Sequence, residues 1–566
     1  MTKSARKRIF YLFLAALCAA ATLKILFVGY DIDEQYAVSM AYRMLKGDRM
    51  LKDLWEPHQT SGFLCALLML PYLAVLRTTT GIFLYLRFCG LLLHGGAVVF
   101  LYRTLRSYLQ RDYALGVCCI WFFALPKIMF LPEFSNMQMW SLQMAALCLL
   151  RYYGAQTARP GRYTRRWLVL SGCFLALEVL SYPSTVLTFF VAAGCILRYR
   201  GRSPHSPVNE LLCLAAPCLL GAGAFMAMLL SYIPPHRLGN LILTVASDGS
   251  HSAPWAQRLT QHGQSLLQIL FFLAVYSALA FILQWLCRRR TQKPFSALLW
   301  CELLMGSCMA GQLCIWLFAD RYPNYPMVEY FFLPLLLLVG VATRKVQSSP
   351  ALSFLVWMPL SAFAGILLFS NHPLLVSLPF LAPCAVGILS LPQLQEALTS
   401  QSAGRPGTMP RIILALWVCV LMFGKCYMQR TTGGHHETIL DDISLMRQGP
   451  ALGLAADTSS VIRYRDNLAL IKESLPEGAG VFCIGADTDI YLMKELAYCT
   501  PSTICSPTFD DKVYSWFEQH PDRQPDYVVC DAGLLYSDPW VSDYVKNYCE
   551  DTPVGSNDFV FIYRYR

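Results

Sequence analysis

The residues best suited to chemistry form a short acidic cluster, Asp31, Asp33 and Glu34, at the head of "DIDEQYAVSMAYRMLKGDRMLKDLWEPHQTSG" (31–62). The cluster follows directly on an apolar run, Ile9–Tyr30. A carboxylate held at such a boundary can act as a general base and take a proton from an acceptor hydroxyl. Two carboxylates two residues apart, Asp31 and Asp33, can instead hold a divalent cation through oxygen ligands. The DxD spacing does not choose between these readings. A solvated loop beyond a membrane end is the plainest alternative to both.

Other ionisable residues weigh against that plain alternative. Lys24, Arg87, Lys127, Glu178 and Lys425 fall inside apolar segments, where charge is costly and usually functional. Any one of them could snorkel to the interface. As a set they imply a polar cavity open to one leaflet. Two further segments bring polar groups to the same side: "LPEFSN" (131–136) with Glu133 and Asn136, and "ADRYPNYPMVEY" (319–330) with Arg321 and Tyr325. Cations at that depth suit the phosphate of a lipid carrier, because Arg and Lys form charge-assisted bonds with phosphate oxygens. Asp33 then reads as the base, and Glu34 or Glu133 as the group that positions an acceptor. Lys24, Arg87, Lys127 and Arg321, with Tyr325 beside them, read as the phosphate subsite. The residues imply no particular cofactor, and a divalent cation between Asp31 and Asp33 is the one metal considered.

The elements that must hold these groups are membrane helices. The 566 residues are 55% hydrophobic and 14% charged, against about 25% charged for a soluble globular chain. The excess positive charge of +10 sits in short loops between apolar runs, which argues against nucleic-acid binding. Spans are expected near 9–30, 81–102, 113–131, 136–153, 167–181, 184–197, 209–232, 264–286, 296–318, 328–342, 351–370, 373–391 and 411–428. Lys and Arg concentrate in alternate loops, which places the N-terminus in the cytoplasm and the C-terminal tail outside the plasma membrane. That parity needs residues 63–76, which are apolar but short and contain Pro71, to be a re-entrant helix. It also needs "SYPS" (181–184) to divide 167–197 into two helices. The first apolar run is too long for a signal-peptide core of about 7–15 residues. Residues 34–50 read as an amphipathic helix lying along the interface, with Tyr36, Met40, Met44 and Leu45 on its apolar face.

After residue 428 the pattern changes. "GVFCIG" (480–485), "DYVVCD" (526–531) and "FVFIYRYR" (559–566) alternate with helix-compatible stretches, the signature of a small α/β domain. Of the 22 cysteines, Cys483, Cys499, Cys505, Cys530 and Cys549 lie in this tail. None has CxxC spacing, so no zinc site is read. The expected organisation is a membrane domain over 1–428 and an extracytoplasmic domain over 429–566.

The chain resembles the GT-C membrane glycosyltransferases, in particular the branch of protein O-mannosyltransferases and lipid A aminoarabinose transferases. The matching residues are "DE" (33–34) after the first span, "YAVSMAYRMLKGD" (36–48), "PHQTSGF" (57–63), "YLRF" (85–88) and "DRYPNYPMVEYFFLPLLLL" (320–338). The resemblance implies a polytopic fold of about 13 helices and transfer of a sugar from a polyprenyl-phosphate carrier to an extracytoplasmic acceptor. Its acidic residue in the first outer loop maps onto Asp33. Where the aminoarabinose branch carries Lys-Pro-Pro, this chain has "EPHQ" (56–59). The competing functions are a non-catalytic flippase of lipid-linked glycans, which needs charge along a route across the membrane, and a surface binding scaffold.

Overall fold

The structure is a computed structural model. It describes residues 3–155, 165–199, 205–246, 254–291, 353–369, 408–438 and 442–566, apart from 57, 108, 110, 126–128, 431–435, 486, 508 and 509, together with isolated positions at 300–311, 374, 381 and 383. The expected span at 328–342, and most of 296–318 and 373–391, lie outside the described residues.

The N-terminal part is a sequence of helices: α1 Lys3–Phe27, α2 Ile32–Leu45, α3 Gly62–Leu76, α4 Ile82–Leu105, α5 Arg111–Phe123, α6 Phe134–Ala155, α7 Arg165–Ser181, α8 Leu187–Arg198, α9 Pro207–Leu230, α10 Pro235–Ala246 and α11 Trp255–Thr291. Then follow α12 Met358–Phe369 and α13 Thr408–Tyr427. Among the described residues five stretches are long and apolar enough to cross a membrane: Arg8–Phe27, Gln59–Leu76, Ile82–Leu105, Pro207–Leu230 and Trp255–Arg290. Leu212, Leu219 and Leu220 on α9 and Leu267, Phe271 and Phe281 on α11 are exposed. Large apolar side chains arrayed in this way suit a lipid surroundings rather than water.

Local chemistry sets the boundaries. At "SYPS" Tyr182 is extended and Pro183 opens a short 3-10 turn over Pro183–Val186, so α7 and α8 are separate helices as expected. A turn over Gln59–Ser61 precedes α3 and lengthens its apolar run to 18 residues. Shortness therefore does not argue for a re-entrant course, and that reading rests on loop charge alone. The expected span 113–131 is shorter as a helix, and the polypeptide leaves it at Phe123. Helix α10 lies between the expected spans 209–232 and 264–286. Small residues bring the helices close. A Cβ at Gly90 would lie 1.9 Å from the Phe130 carbonyl oxygen, and one at Gly172 2.2 Å from that of Leu214. These positions let α4 meet the segment before α6, and α7 meet α9, as small residues do between membrane helices.

Beyond α13 lie two antiparallel strand pairs, β1 Met428–Arg430 with β2 His436–Thr438, and β3 Ile443–Leu445 with β4 Ala455–Asp457. Helix α14, Thr458–Ser474, follows β4, with Asp457 capping it by accepting from the Ser460 amide at 2.8 Å. A five-stranded sheet comes last, in the order β6-β5-β7-β9-β8. Its strands are β5 Gly480–Ile484, β6 Ala497–Tyr498, β7 Tyr527–Asp531, β8 Gly555–Ser556 and β9 Val560–Arg564. Strands β5, β6 and β7 run parallel, and β9 closes antiparallel on β7. Every residue of β5 is buried, so both faces of the sheet are covered there. All five tail cysteines are free thiols and buried.

Helix α2 departs from the expected interfacial helix. Residues Glu34–Arg43 are buried without interruption, including Gln35, Ser39 and Arg43. The reason is a second covering layer. The Ser39 hydroxyl donates to the Thr488 carbonyl at 2.7 Å, the Tyr498 hydroxyl donates to the Ser39 carbonyl at 3.0 Å, and the Trp55 amide donates to the Pro501 carbonyl at 2.8 Å. The C-terminal part therefore packs on the face of α2 that the sequence pattern leaves polar.

Candidate active site

The site is built where α1 ends. Gly29 has φ +98°, a left-handed conformation that glycine adopts without strain, and its amide donates to the Ala455 carbonyl at 2.7 Å. Asp31 is extended and caps α2, its carboxylate accepting from the Asp33 amide at 2.9 Å. This cap places Asp33 and Glu34 on the first turn of a helix, where the positive end of the dipole favours carboxylates. The two point differently. Glu34 is fully buried and Asp33 is partly exposed.

Glu34 meets Arg87 of α4 in a two-pronged ion pair: Nε to Oε1 at 2.6 Å and Nη2 to Oε2 at 2.5 Å. Arg87 also donates to the Leu26 carbonyl at 3.0 Å and the Gly29 carbonyl at 2.7 Å. One guanidinium thus ties together the end of α1, the turn after it and the first turn of α2. Burial pushes the Glu34 carboxyl up, against the opposing pull of Arg87. Asp31, itself buried, adds to the upward shift.

Lys24, in the last turn of α1, is buried, as is Lys425 near the end of α13. The two helices pack together and the two ammonium groups are near enough to repel each other. Glu133 caps α6, accepting from the Ser135 and Asn136 amides at 2.9 and 2.6 Å. Lys127, Arg321 and Tyr325 lie outside the described residues. Among the described residues no three His, Cys, Asp or Glu side chains are grouped so as to hold a metal ion.

A second polar group, absent from the sequence reading, occupies the far end of the 31–62 segment. Arg43 pairs with Asp48, lies 3.5 Å from Glu56, and donates to the carbonyls of Asp53 and Thr500. Asp48 also pairs with Arg523 at 2.5 Å, and Asp53 lies 3.3 Å from His520. Glu56 accepts from the Thr503 amide at 2.9 Å. Burial raises the Glu56 carboxyl while Arg43 and Thr503 oppose the shift. The signal for this network was present only as charge in "KGDRMLKDLWE" (46–56). Its partners Thr500, Thr503, His520 and Arg523 lie more than 400 residues away, and nothing in the local pattern points to them.

No protein-family model matches the chain, and no curated protein matches it. Solved structures do. ArnT from Cupriavidus metallidurans bound to undecaprenyl phosphate aligns at a TM-score of 0.51 and 9% identity, over 99% of this chain and 98% of that one. The fold is GT-C. ArnT of the same organism in the apo state aligns at a TM-score of 0.47 and 11% identity over 99% and 98% of the two chains. The archaeal oligosaccharyltransferase AglB from Archaeoglobus fulgidus, in complex with an inhibitory peptide and a dolichol-phosphate, aligns at 0.41 and 15% identity over 99% of this chain and 74% of its own. In this chain the acidic cluster stands at the junction of α1 and α2. It is held from the helix side by Arg87 and from the other side by the contact of Gly29 with Ala455.

Proposed function

We propose that this chain is an integral membrane glycosyltransferase. It moves a sugar from a polyprenyl-phosphate-linked donor to an acceptor hydroxyl on the extracytoplasmic face, with inversion at the anomeric carbon. The observation that carries the reading is the contrast at the α1–α2 junction: Asp33 is partly exposed while its neighbours Asp31 and Glu34 are buried in a cap and an ion pair. A carboxylate on a rigid first turn, presented at the end of a membrane helix, suits a general base. The GT-C fold shared with ArnT, whose structure holds undecaprenyl phosphate, agrees with a lipid-linked donor.

In this reading Asp33 takes the proton of the acceptor hydroxyl as the new glycosidic bond forms, and the lipid phosphate leaves with the electrons of the old one. Lys24, with Lys425 beside it, Lys127 and Arg321 neutralise that phosphate, and Tyr325 lies in the same subsite. Arg87 has its donors on Glu34 and two carbonyls, and we assign it to positioning rather than to the phosphate. Glu133, as a helix cap, shapes the acceptor side. A divalent cation, where the reaction needs one, is held by Asp31 and Asp33. The N-terminus is cytoplasmic, and residues 429–566 form an extracytoplasmic domain.

The test is transfer. Membranes containing the chain are incubated with labelled polyprenyl-phosphate sugars and cell-envelope acceptors. One of the sugars is expected to pass to an acceptor with release of polyprenyl phosphate. Movement of an intact lipid-linked sugar between leaflets, without cleavage of the phosphate–sugar bond, would establish the flippase reading instead.

A further inference from the structure

Between α6 and α7 the structure buries polar groups that the α1–α2 junction does not use. Phe134 and Gln138 stand one turn apart on one face of α6, and Glu178 and Tyr182 stand one turn apart at the end of α7. The rings meet first. His58 stacks on Phe134 with centroids 4.2 Å apart and planes 6° apart, and Tyr182 lies 5.4 Å from His58 and 6.0 Å from Phe134. One turn further in, Gln138 faces Glu178. Both are fully buried.

Their hydrogen bonding is incomplete. Glu178 Oε1 accepts from the Thr188 hydroxyl at 3.2 Å and Gln138 approaches the same carboxyl, yet Glu178 Oε2 and both amide atoms of Gln138 make no hydrogen bond of good geometry. The Thr60 hydroxyl, on the turn that packs against α7, is also buried without one. A buried polar atom left unpaired loses its hydration with nothing in return. Several such buried atoms on neighbouring elements require a ligand or ordered water that completes them. The set offers an amide donor, an amide acceptor, a hydroxyl and a carboxylate oxygen. Among the described residues it includes no Lys or Arg. Its complement is therefore a neutral group rich in hydroxyls rather than a phosphate.

We infer that Gln138 and Glu178 bind the hydroxyl groups of the transferred sugar, with the His58, Phe134 and Tyr182 rings bordering that subsite. The inference rests on the lipid-linked-donor reading above and names the residues that select the sugar. A site that hydrogen-bonds a hydroxyl discriminates strongly against a ligand that lacks it, because its own buried groups are then left unpaired.

The test uses the purified full-length chain in lipid nanodiscs. It compares binding of bare undecaprenyl phosphate with undecaprenyl phosphate carrying glucose, mannose, galactose or xylose. At least one sugar-bearing lipid is expected to bind about tenfold or more tighter than the bare lipid. Gln138→Met and Glu178→Gln, both close in shape to the native side chains, should each remove most of that advantage and leave bare-lipid binding within about twofold. Thermal melting of each variant establishes that it is folded. An advantage that survives both substitutions means that the groups hold water only and overturns the inference. So does an equal loss for bare and sugar-bearing lipid, or a wild-type protein that gains nothing from any of the four sugars. A wild-type chain that does not bind the bare lipid overturns the lipid-carrier reading itself, and this inference with it.

Discussion

Asp48, Asp53 and Glu56 at one end of the 31–62 segment have the same chemistry as Asp31, Asp33 and Glu34 at the other, yet the two groups are used differently. The far group is consumed by structure. Arg43, Arg523, His520 and Thr503 surround it, and each bond joins the segment either to itself or to the C-terminal part. The near group is divided. Asp31 closes a helix cap, Glu34 is locked to Arg87, and Asp33 keeps partial exposure. The difference teaches that a carboxylate's role here follows from how its surroundings are spent, not from its type or spacing. It also suggests why the far group exists. In the reading proposed above, a general base needs the segment that carries it fixed at both ends.

The largest effect expected is at the near end. Arg87→Leu leaves the Glu34 carboxylate buried without its partner, and breaking such a pair costs about 3–5 kcal/mol. Thermal unfolding of the purified chain should fall markedly, and transfer should be lost with it. Arg87→Lys should recover only part, because a point charge replaces the two-pronged fork. A variant of normal stability that loses only donor affinity would return Arg87 to the phosphate subsite and blur the contrast.

At the far end the cost is smaller. Glu56→Ala leaves the Thr503 amide and hydroxyl buried without their acceptor, at about 1–3 kcal/mol. Limited proteolysis should then cut the segment between Asp48 and Gln59 faster than in the wild type. Unchanged protection would mean that the C-terminal part does not fix this end.

A pH effect is expected where the near end meets the C-terminal part. The Tyr30 hydroxyl donates to Asp489 at 2.5 Å. Burial, with Asp487 beside it, pushes Asp489 up to about 7. A folded-state value above the unfolded one, about 3.9, means that the fold favours the protonated acid. That stabilisation is complete below pH 4 and is lost as the pH rises from there to about 7. Asp489→Asn should flatten the fall in melting temperature over this window. A fall of undiminished size in the variant would place its origin elsewhere, for instance in Glu34 or Glu56, whose carboxyls burial also raises.

Much of the frame was legible because it is local. The apolar length of α1, the extended Tyr182 before Pro183 in "SYPS", and the β-branched and aromatic runs of β5, β7 and β9 all act through neighbours in sequence. The acidic cluster was legible for the same reason, since a cap and a helix start are written within a few residues. What was not legible is non-local. The pattern of α2 reads as one-sided because the layer over its polar face comes from residues near 488–503. Arg87 reads as a phosphate ligand because its partner, Glu34, lies 53 residues away. The 3-10 turn over Gln59–Ser61 that precedes α3 was not legible, because it has no distinctive spacing.

The most direct test of the central claim is the turnover of Asp33→Asn, measured beside wild type with the polyprenyl-phosphate sugar that the wild type uses. The amide keeps the size and removes the proton acceptor. The rate should fall about 10²–10⁴-fold, with insertion, melting temperature and donor binding close to normal. If chelation also abolishes wild-type turnover, and Asp31→Asn fails as completely, the two aspartates serve a divalent cation instead. Near-normal turnover in a correctly inserted Asp33→Asn protein would contradict the assignment.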